Sequence, residues 1–111
     1  MNNRTTAARI RKLVREYMLL EKDETENSTE WSYAVLEPEL LISEGATIAF
    51  IQDADADEFV AIAYFFDDLS RTFKNGMLID AIEGRYVELF GVNTDTKLYR
   101  ECILGLRNHF S

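Results

Sequence analysis

The acidic residues of this chain are concentrated in a middle segment that contains no basic residue. Positions 23–68 hold 13 Asp and Glu and no Lys or Arg, whereas positions 1–22 hold six bases and two acids. Positions 69–111 are nearly balanced, with six bases and five acids. The net charge of −8 therefore combines a basic head with a long acidic middle segment, residues 23–68. Such a segment either stays in solvent, where it favours solubility, or faces something cationic.

Length and composition indicate one folded domain. The chain has 111 residues, of which 47% are hydrophobic and 12% aromatic, and this is enough to form a core without disulfides or metals. We expect a single domain over 1–111, with an exposed mobile loop at 22–29. The longest apolar runs are too short for a membrane span, no signal peptide is evident, and a single cysteine cannot form an internal disulfide. These features predict a cytoplasmic protein, and its negative charge argues against direct binding to nucleic acid or to a membrane.

The clearest predicted helix runs from Thr5 to about Leu20, with Thr5 or Thr6 as its cap. Apolar residues recur there at helical spacing, opposite a face of arginine and lysine. A basic amphipathic helix suits a membrane surface, a transit peptide or a nucleic-acid contact. The alternative is a helix docked on the rest of the molecule, with its outer bases partly neutralised by the acidic middle segment. The apolar stripe favours the docked helix, because it covers only two turns and lacks Trp and Phe: Ile10, Leu13, Val14, Tyr17 and Met18.

Short apolar runs predict β-strands elsewhere in the chain. Residues 31–36 and 40–43 suit a strand interrupted at Pro38, and residues 46–51 suit a buried strand. Residues 77–82 and 86–92 flank the pair Glu83-Gly84, and this arrangement predicts a hairpin.

Residues 53–76 carry signals for both helix and strand. An N-cap at Asp53, an apolar stripe from Phe59 to Phe73 and a left-handed stop at Gly76 favour a central helix over 54–74. The alternative is a strand from Phe59 to Phe66 that pairs with residues 46–51. A C-terminal helix, capped by Asn93 or Thr94, would have an apolar face of Leu98, Cys102, Ile103, Leu106 and Phe110. The predicted fold is therefore α+β, with N- and C-terminal amphipathic helices packed on a short sheet of four or five strands.

No catalytic or metal-binding pattern is complete in this sequence. The run from Asp53 to Asp57 begins like a calcium-binding loop, but it lacks the glycine at position six and the glutamate at position twelve that an EF-hand requires. Cys102 suits the core of the last helix, and His109 suits its C-terminal dipole. They lie about 10 Å apart along a helix axis, too far for a catalytic Cys–His pair. We therefore predict no enzyme activity, no cofactor and no metal site.

The acidic middle segment is the strongest functional signal. We expect it to bind a basic protein, with exposed aromatic side chains as anchors; Tyr64 and Phe65 lie off the predicted helical stripe, so each is either such an anchor or a second core face. A nuclease-type toxin is the natural target, because a site that holds phosphate is cationic, and the protein would then be an immunity protein. Alternatives are a phage-type nucleic-acid mimic that inhibits a host defence enzyme, a dimeric secretion-chaperone or scaffold protein, and a small-molecule or metal-binding domain. The residues predicted to contact the basic partner are Trp31, Glu37, Glu39, Asp53, Asp55, Asp57, Glu58, Tyr64, Asp67 and Asp68.

Overall fold

A computed structural model describes residues 3–22, 27–73, 76–91 and 97–106, and every secondary-structure element within these ranges is helical. The predicted α+β fold and its sheet are therefore wrong. In chain order the elements are α1 (Asn3–Lys22), α2 (Ser28–Trp31), a first π-helical segment (Ser32–Leu36), α3 (Glu37–Leu40), α4 (Glu44–Asp53), α5 (Ala56–Ala63), α6 (Phe66–Phe73), α7 (Gly76–Phe90), α8 (Lys97–Tyr99) and a second π-helical segment (Arg100–Leu104).

Helix α1 confirms the predicted N-terminal helix. Three members of its apolar stripe are buried, and Leu13 and Met18 pack partly buried against the same core. Thr5 and Thr6 lie within the helix rather than at its cap. Of the loop predicted at 22–29, Lys22 ends α1 and Ser28 begins α2, and residues 23–26 lie outside the described part of the chain.

The apolar run at 46–51 forms the centre of α4 rather than a strand. The helix begins after Ser43, whose Oγ accepts a hydrogen bond from the backbone N–H of Ala46 at 3.2 Å. Helix α4 packs against both α1 and α7. Because it is covered on two sides, it has little polar face, and a short run that is apolar on all sides has no period that separates helix from strand.

The strand predicted at 31–36 lies within one continuous helical stretch over 28–40 that widens in its middle. Of the strand predicted at 40–43, Leu40 ends this stretch and residues 41–43 connect it to α4, so neither segment is a strand. The backbone N–H of Glu37 donates to the carbonyl of Ser32, five residues back, which is the π-helical pattern. Pro38 has no N–H to donate to Ala34, so the regular i to i−4 ladder cannot continue through it. Leu36 and Leu40 on this stretch are fully buried.

The predicted hairpin is a single 15-residue helix, α7. Gly84, which suggested the turn, lies on the exposed side of this helix. Gly91 follows the last residue of α7, and its φ of 82° is a left-handed stop. The sequence predicts such a stop at Gly76, for the central helix. Gly76 instead begins α7, and the buried face of that helix carries Leu78, Ile79, Ile82 and Tyr86.

The central helix predicted over 54–74 is two helices, α5 and α6, separated by a turn at Tyr64 and Phe65. The backbone N–H of Phe65 donates to the carbonyl of Ile62, only three residues back, at 2.9 Å. Neighbouring residues in one straight helix point about 100° apart. The break allows both Phe65 and Phe66 to enter the core, where they are buried. The alternative strand from Phe59 to Phe66 is also wrong.

Residues 97–106 return to the core at the C-terminal end of the described chain, where Ile103 and Leu106 are buried. The predicted caps Asn93 and Thr94, and the predicted face residue Phe110, lie outside the described residues. One core of buried side chains joins α1, the stretch from α2 to α3, α4 to α7 and this last segment.

Candidate functional site

The acids at the junction of α4 and α5 meet arginines of α1. Glu58 Oε2 accepts hydrogen bonds from Nε of Arg11 and from Nε of Arg15, each at 3.1 Å. Nη2 of Arg15 lies 2.6 Å from Oδ2 of Asp55, and Nη1 of Arg11 lies 3.1 Å from Oδ2 of Asp53. These five residues are called the arginine clamp below. This part of the acidic middle segment therefore pairs with arginines from the basic head of the same chain, as the docked-helix alternative predicted.

Glu58 is the centre of the arginine clamp, and its side chain is only 2% exposed. Its Oε1 accepts from the backbone N–H of Asp55 at 2.9 Å, while the Asp55 side chain accepts from the backbone N–H of Glu58 at 2.8 Å. This reciprocal capping box starts α5. Asp55, not Asp53, is thus the N-cap residue, and Asp53 ends α4. The N–H of Glu58 and the guanidinium of Arg15 both lower the pKa of the Asp55 carboxyl.

Backbone carbonyls at the same junction are also held by arginines. Nη2 of Arg11 donates to the carbonyl of Asp53 at 3.1 Å, and Nε of Arg85 in α7 donates to the carbonyl of Ala54 at 2.8 Å. The last carbonyls of a helix lack intrahelical partners, so these bonds satisfy groups that α4 leaves open. The Arg11 guanidinium also lies 5.4 Å from the ring centroid of Phe50.

Two further acids of the acidic middle segment have arginine partners elsewhere. Glu39 lies 3.1 Å from Nε of Arg9 on α1, and Asp67 lies 3.0 Å from Nη2 of Arg71 one turn along α6. Half of the ten predicted contact residues are thus in recorded ion pairs: Glu39, Asp53, Asp55, Glu58 and Asp67.

A second group of predicted residues lies around an exposed pair of tyrosines. Tyr33 comes from the first π-helical segment and Tyr64 from the turn after α5, and they are 42% and 60% exposed. The hydroxyl of Tyr33 donates to the hydroxyl of Tyr64 at 2.5 Å, and the two rings meet edge to face with centroids 5.8 Å apart. Phe65 lies beneath both rings as part of the core, at 5.8 Å from Tyr33 and 5.5 Å from Tyr64. Tyr64 is therefore an exposed aromatic residue and Phe65 is a core residue.

Two carboxylates, Glu37 and Asp68, lie close enough to this tyrosine pair for their charges to act on Tyr33. Burial and the nearby charge of Asp68 raise the pKa of the Glu37 carboxyl, and Oε2 of Glu37 is buried without a hydrogen-bond partner. The hydrogen bond with Tyr64, followed by burial and by the charges of Asp68 and Glu37, raises the pKa of Tyr33 to about 12. We call Tyr33, Tyr64, Glu37 and Asp68 the tyrosine face. The predicted contact residues include every member except Tyr33, which lies on the first π-helical segment.

The two remaining predicted residues lie apart from the arginine clamp. Trp31 is half-buried and packs against the core. Asp57 is exposed and lines a groove of about 460 Å³ between the end of α1 and α5, called the α1–α5 groove: Met18, Glu21, Lys22, Asp57, Val60 and Ala61.

The α1–α5 groove adjoins the tyrosine face. Val60 and Tyr64 are one helical turn apart, and both are exposed. On α1, Glu21 lines the groove and accepts a hydrogen bond from the hydroxyl of Tyr17. The pKa of Tyr17 is raised, first by burial and then by Glu21, Tyr64 and Tyr33. The surface therefore continues from a groove with both apolar and charged side chains to a pair of phenols with carboxylates beside them.

The described ranges contain no cluster of three or more His, Cys, Asp and Glu side chains arranged to hold a metal ion. His109 lies outside these ranges, so its predicted role at the helix dipole is not described. Within the same ranges, no helix combines the length and the apolar character needed to cross a bilayer. Comparison of the chain with family models, curated proteins and solved structures finds no match.

Proposed function

We propose that this protein is a small cytoplasmic inhibitor that binds a basic partner through the tyrosine face, as an immunity protein blocks a nuclease-type toxin. The observation that carries this proposal is the exposed pair of Tyr33 and Tyr64 beside two carboxylates for which no base is recorded among the described residues. Tyrosine is enriched at the centres of protein interfaces, where it provides large contact area and a polar tip. Adjacent acids complement a cationic partner.

The free-energy cost of placing the Glu37 carboxylate in the tyrosine face supports a binding role. Folding moves the Glu37 carboxyl out of water and towards Asp68, and both effects disfavour its charged form. Oε2 of Glu37 also lacks a donor. Local conflicts of this kind are expected at functional sites, where a ligand supplies what the fold does not. A basic partner would supply both the missing donor and the missing positive charge.

The arginine clamp argues against the junction of α4 and α5 as the contact surface. Asp53, Asp55 and Glu58 already meet Arg11 and Arg15. A partner that used these acids would have to displace α1, whose apolar stripe is part of the core. The arginine clamp therefore holds α1 against the junction of α4 and α5, and the tyrosine face and Asp57 remain available to contact the partner.

A nuclease is the partner class that this chemistry fits, because an enzyme that holds a phosphate backbone presents a cationic site. Excess negative charge on the inhibitor steers the encounter and raises the association rate by about 10- to 1,000-fold at low salt. A protein that must neutralise a toxin before it acts benefits from such a rate. The tyrosine face would then occupy the site where the nucleic acid binds.

The test uses the full chain with an affinity tag. The basic protein that it retains from its source cells at low salt is identified and purified, and its association rate with the chain is measured at increasing salt. We expect the rate to fall by about tenfold or more as the charges are screened, and the nuclease activity of the partner to be lost at one equivalent. An association rate that does not depend on salt, or an active nuclease in the saturated complex, contradicts the proposal.

A matched pair of variants locates the contact. Asp68→Asn removes a carboxylate of the tyrosine face, whereas Asp67→Asn makes the same change at the adjacent position, which pairs with Arg71. We expect only Asp68→Asn to slow association and weaken the complex. Equal effects of the two substitutions would place the contact elsewhere.

A further inference from the structure

We infer that the tyrosine face binds an arginine side chain of the partner in preference to a lysine, and that the α1–α5 groove holds an apolar side chain of the same segment. This inference rests on the proposed function and names the chemistry that the partner must present.

The tyrosine pair presents an aromatic surface suited to a planar cation. Tyr64 is held by the hydroxyl of Tyr33 and by edge-to-face contact with Phe65, yet it remains 60% exposed. A guanidinium stacks on such a ring and is weakly hydrated, whereas an ammonium is compact and strongly hydrated. Because Tyr64 is already fixed in place, little side-chain entropy is lost when a cation binds it.

The two carboxylates suit the donor pattern of a guanidinium. Glu37 and Asp68 are close enough for the charge of Asp68 to raise the pKa of Glu37. A guanidinium carries five N–H donors in a rigid fork, so it can bond to two acceptors at once, and its delocalised charge offsets both. An ammonium offers one point charge, and it is held less specifically between two acceptors and a ring.

The arginine clamp shows the same combination of groups inside this molecule. Nε of Arg11 donates to Glu58, and its guanidinium lies over the ring of Phe50 at 5.4 Å. The guanidinium is thus held by carboxylates and an aromatic ring together. The tyrosine face offers these two group types on the surface, with the cation left to the partner.

The α1–α5 groove adds an apolar contact next to the arginine. Val60 is one turn before Tyr64 and is 51% exposed, and Met18 and Ala61 line the same groove. Its volume of about 460 Å³ is ample for one branched apolar side chain. The charged residues of the groove are two acids, Glu21 and Asp57, and one base, Lys22. Their net negative charge favours a basic segment around that side chain.

The experiment titrates the full chain with two synthetic peptides and follows it by NMR. The peptides are identical, with a leucine one helical turn from the test position, except that one carries arginine there and the other lysine. We expect the arginine peptide to bind about fivefold or more tightly, which corresponds to roughly 1 kcal/mol of cation–π and fork geometry. We also expect its addition to shift the ring resonances of Tyr33 and Tyr64 and the methyl resonances of Val60.

Variants separate a direct contact from a general charge effect. Asp68→Asn and Tyr64→Leu should each lower the affinity for the arginine peptide several-fold, whereas Asp67→Asn should leave that affinity unchanged. Tyr64 is largely exposed, so Tyr64→Leu keeps a folded protein even if Asp68→Asn does not. Replacing the leucine of the peptide with alanine should abolish the shifts at Val60 and leave those at Tyr64.

Each remaining outcome overturns the inference. Equal affinity for both peptides removes the preference for arginine, yet leaves a basic partner in place if the salt-dependent association described above holds. Binding of the arginine peptide that is unaffected by Asp68→Asn and Tyr64→Leu removes the tyrosine face as its site. No binding of either peptide at millimolar concentration removes the arginine site altogether, and the association of the chain with its purified partner decides the proposed function independently.

Discussion

Arg15 and Glu58 are 43 residues apart in the sequence, and Nε of Arg15 donates a hydrogen bond to Oε2 of Glu58 at 3.1 Å. Nε of Arg11 reaches the same carboxylate oxygen at the same distance. The two most unusual segments of the chain, the basic head and the acidic middle segment, are therefore partners in one contact. This contact joins α1 to the start of α5, whereas the carboxylates of the tyrosine face form no ion pair with an arginine in the described part of the chain.

Glu58→Gln is expected to lower the free energy of unfolding by about 2 kcal/mol, because it removes a buried carboxylate that two arginines share. The cost falls below that of a fully buried ion pair, since both arginines are partly exposed. Chemical denaturation measures the change. Asp57→Asn is the control: this exposed neighbour should change stability by less than about 0.5 kcal/mol. Equal effects at the two positions would show that the arginine clamp contributes little.

Asp55→Asn isolates the charge of the N-cap, because asparagine caps a helix about as well as aspartate. The pKa of Asp55 is lower in the folded state than its ordinary value of 3.8. Its charge therefore stabilises the protein fully above that ordinary value, and this contribution is lost as the pH falls through the lower folded pKa. Thermal unfolding from pH 2 to 7 should show wild type more stable than Asp55→Asn at neutral pH, with the difference shrinking as the pH falls towards 2. A difference that persists unchanged at pH 2 contradicts this assignment.

Glu37→Gln should change stability in the opposite direction to Asp55→Asn. The folded state raises the pKa of Glu37 above its ordinary value of 4.5, so the charged form is disfavoured on folding. We expect Glu37→Gln to be more stable than wild type at pH 7, and the gain to disappear as the pH falls below about 4.5. The same variant should bind the arginine peptide less tightly than wild type does. A variant that loses stability at pH 7 would show that the Glu37 carboxylate is favourably solvated.

Gly84→Ala tests whether residues 76–90 form one helix. An added Cβ at Gly84 meets nothing within 4 Å, so alanine should stabilise the protein by about 0.5–1 kcal/mol through its higher helix propensity. Gly91 has a φ of 82°, so Gly91→Ala should be destabilising by about 1 kcal/mol. Thermal unfolding of the two variants gives the comparison. A loss of stability in Gly84→Ala is the result that a hairpin turn at this position would produce.

The sequence predicted α1 because its signal is local. Apolar residues at helical spacing on one side and bases on the other define the buried face without reference to any other segment. The same pattern made the docked helix an available hypothesis, and the arginine clamp confirms it. The residues of the candidate surface were also largely predictable, since Glu37, Tyr64 and Asp68 stand out as acids and an aromatic residue that falls off the helical stripe.

The predicted sheet is wrong because the apolar character of these segments comes from what packs against them, which the segments alone do not reveal. Residues 46–51 are apolar because α4 is covered by both α1 and α7, and a helix buried on two sides shows no alternation of apolar and polar residues. In α7, Gly84 faces solvent within the helix, and the hairpin turn that it suggested is absent from residues 76–90. Turn residues are also tolerated on the exposed side of a helix, at a cost of about 1 kcal/mol for glycine.

The sequence by itself determined the N-terminal helix, the segregation of charge and the identity of most residues on the candidate surface. Only the tertiary structure decided which acids remain for a partner. Arg11 and Arg15 neutralise Asp53, Asp55 and Glu58 across 40 or more residues of sequence. The break after α5 and the π-helical segment together align Tyr33 with Tyr64. Ion pairing and ring contact depend on distances between segments, and the order of residues along the chain does not specify those distances.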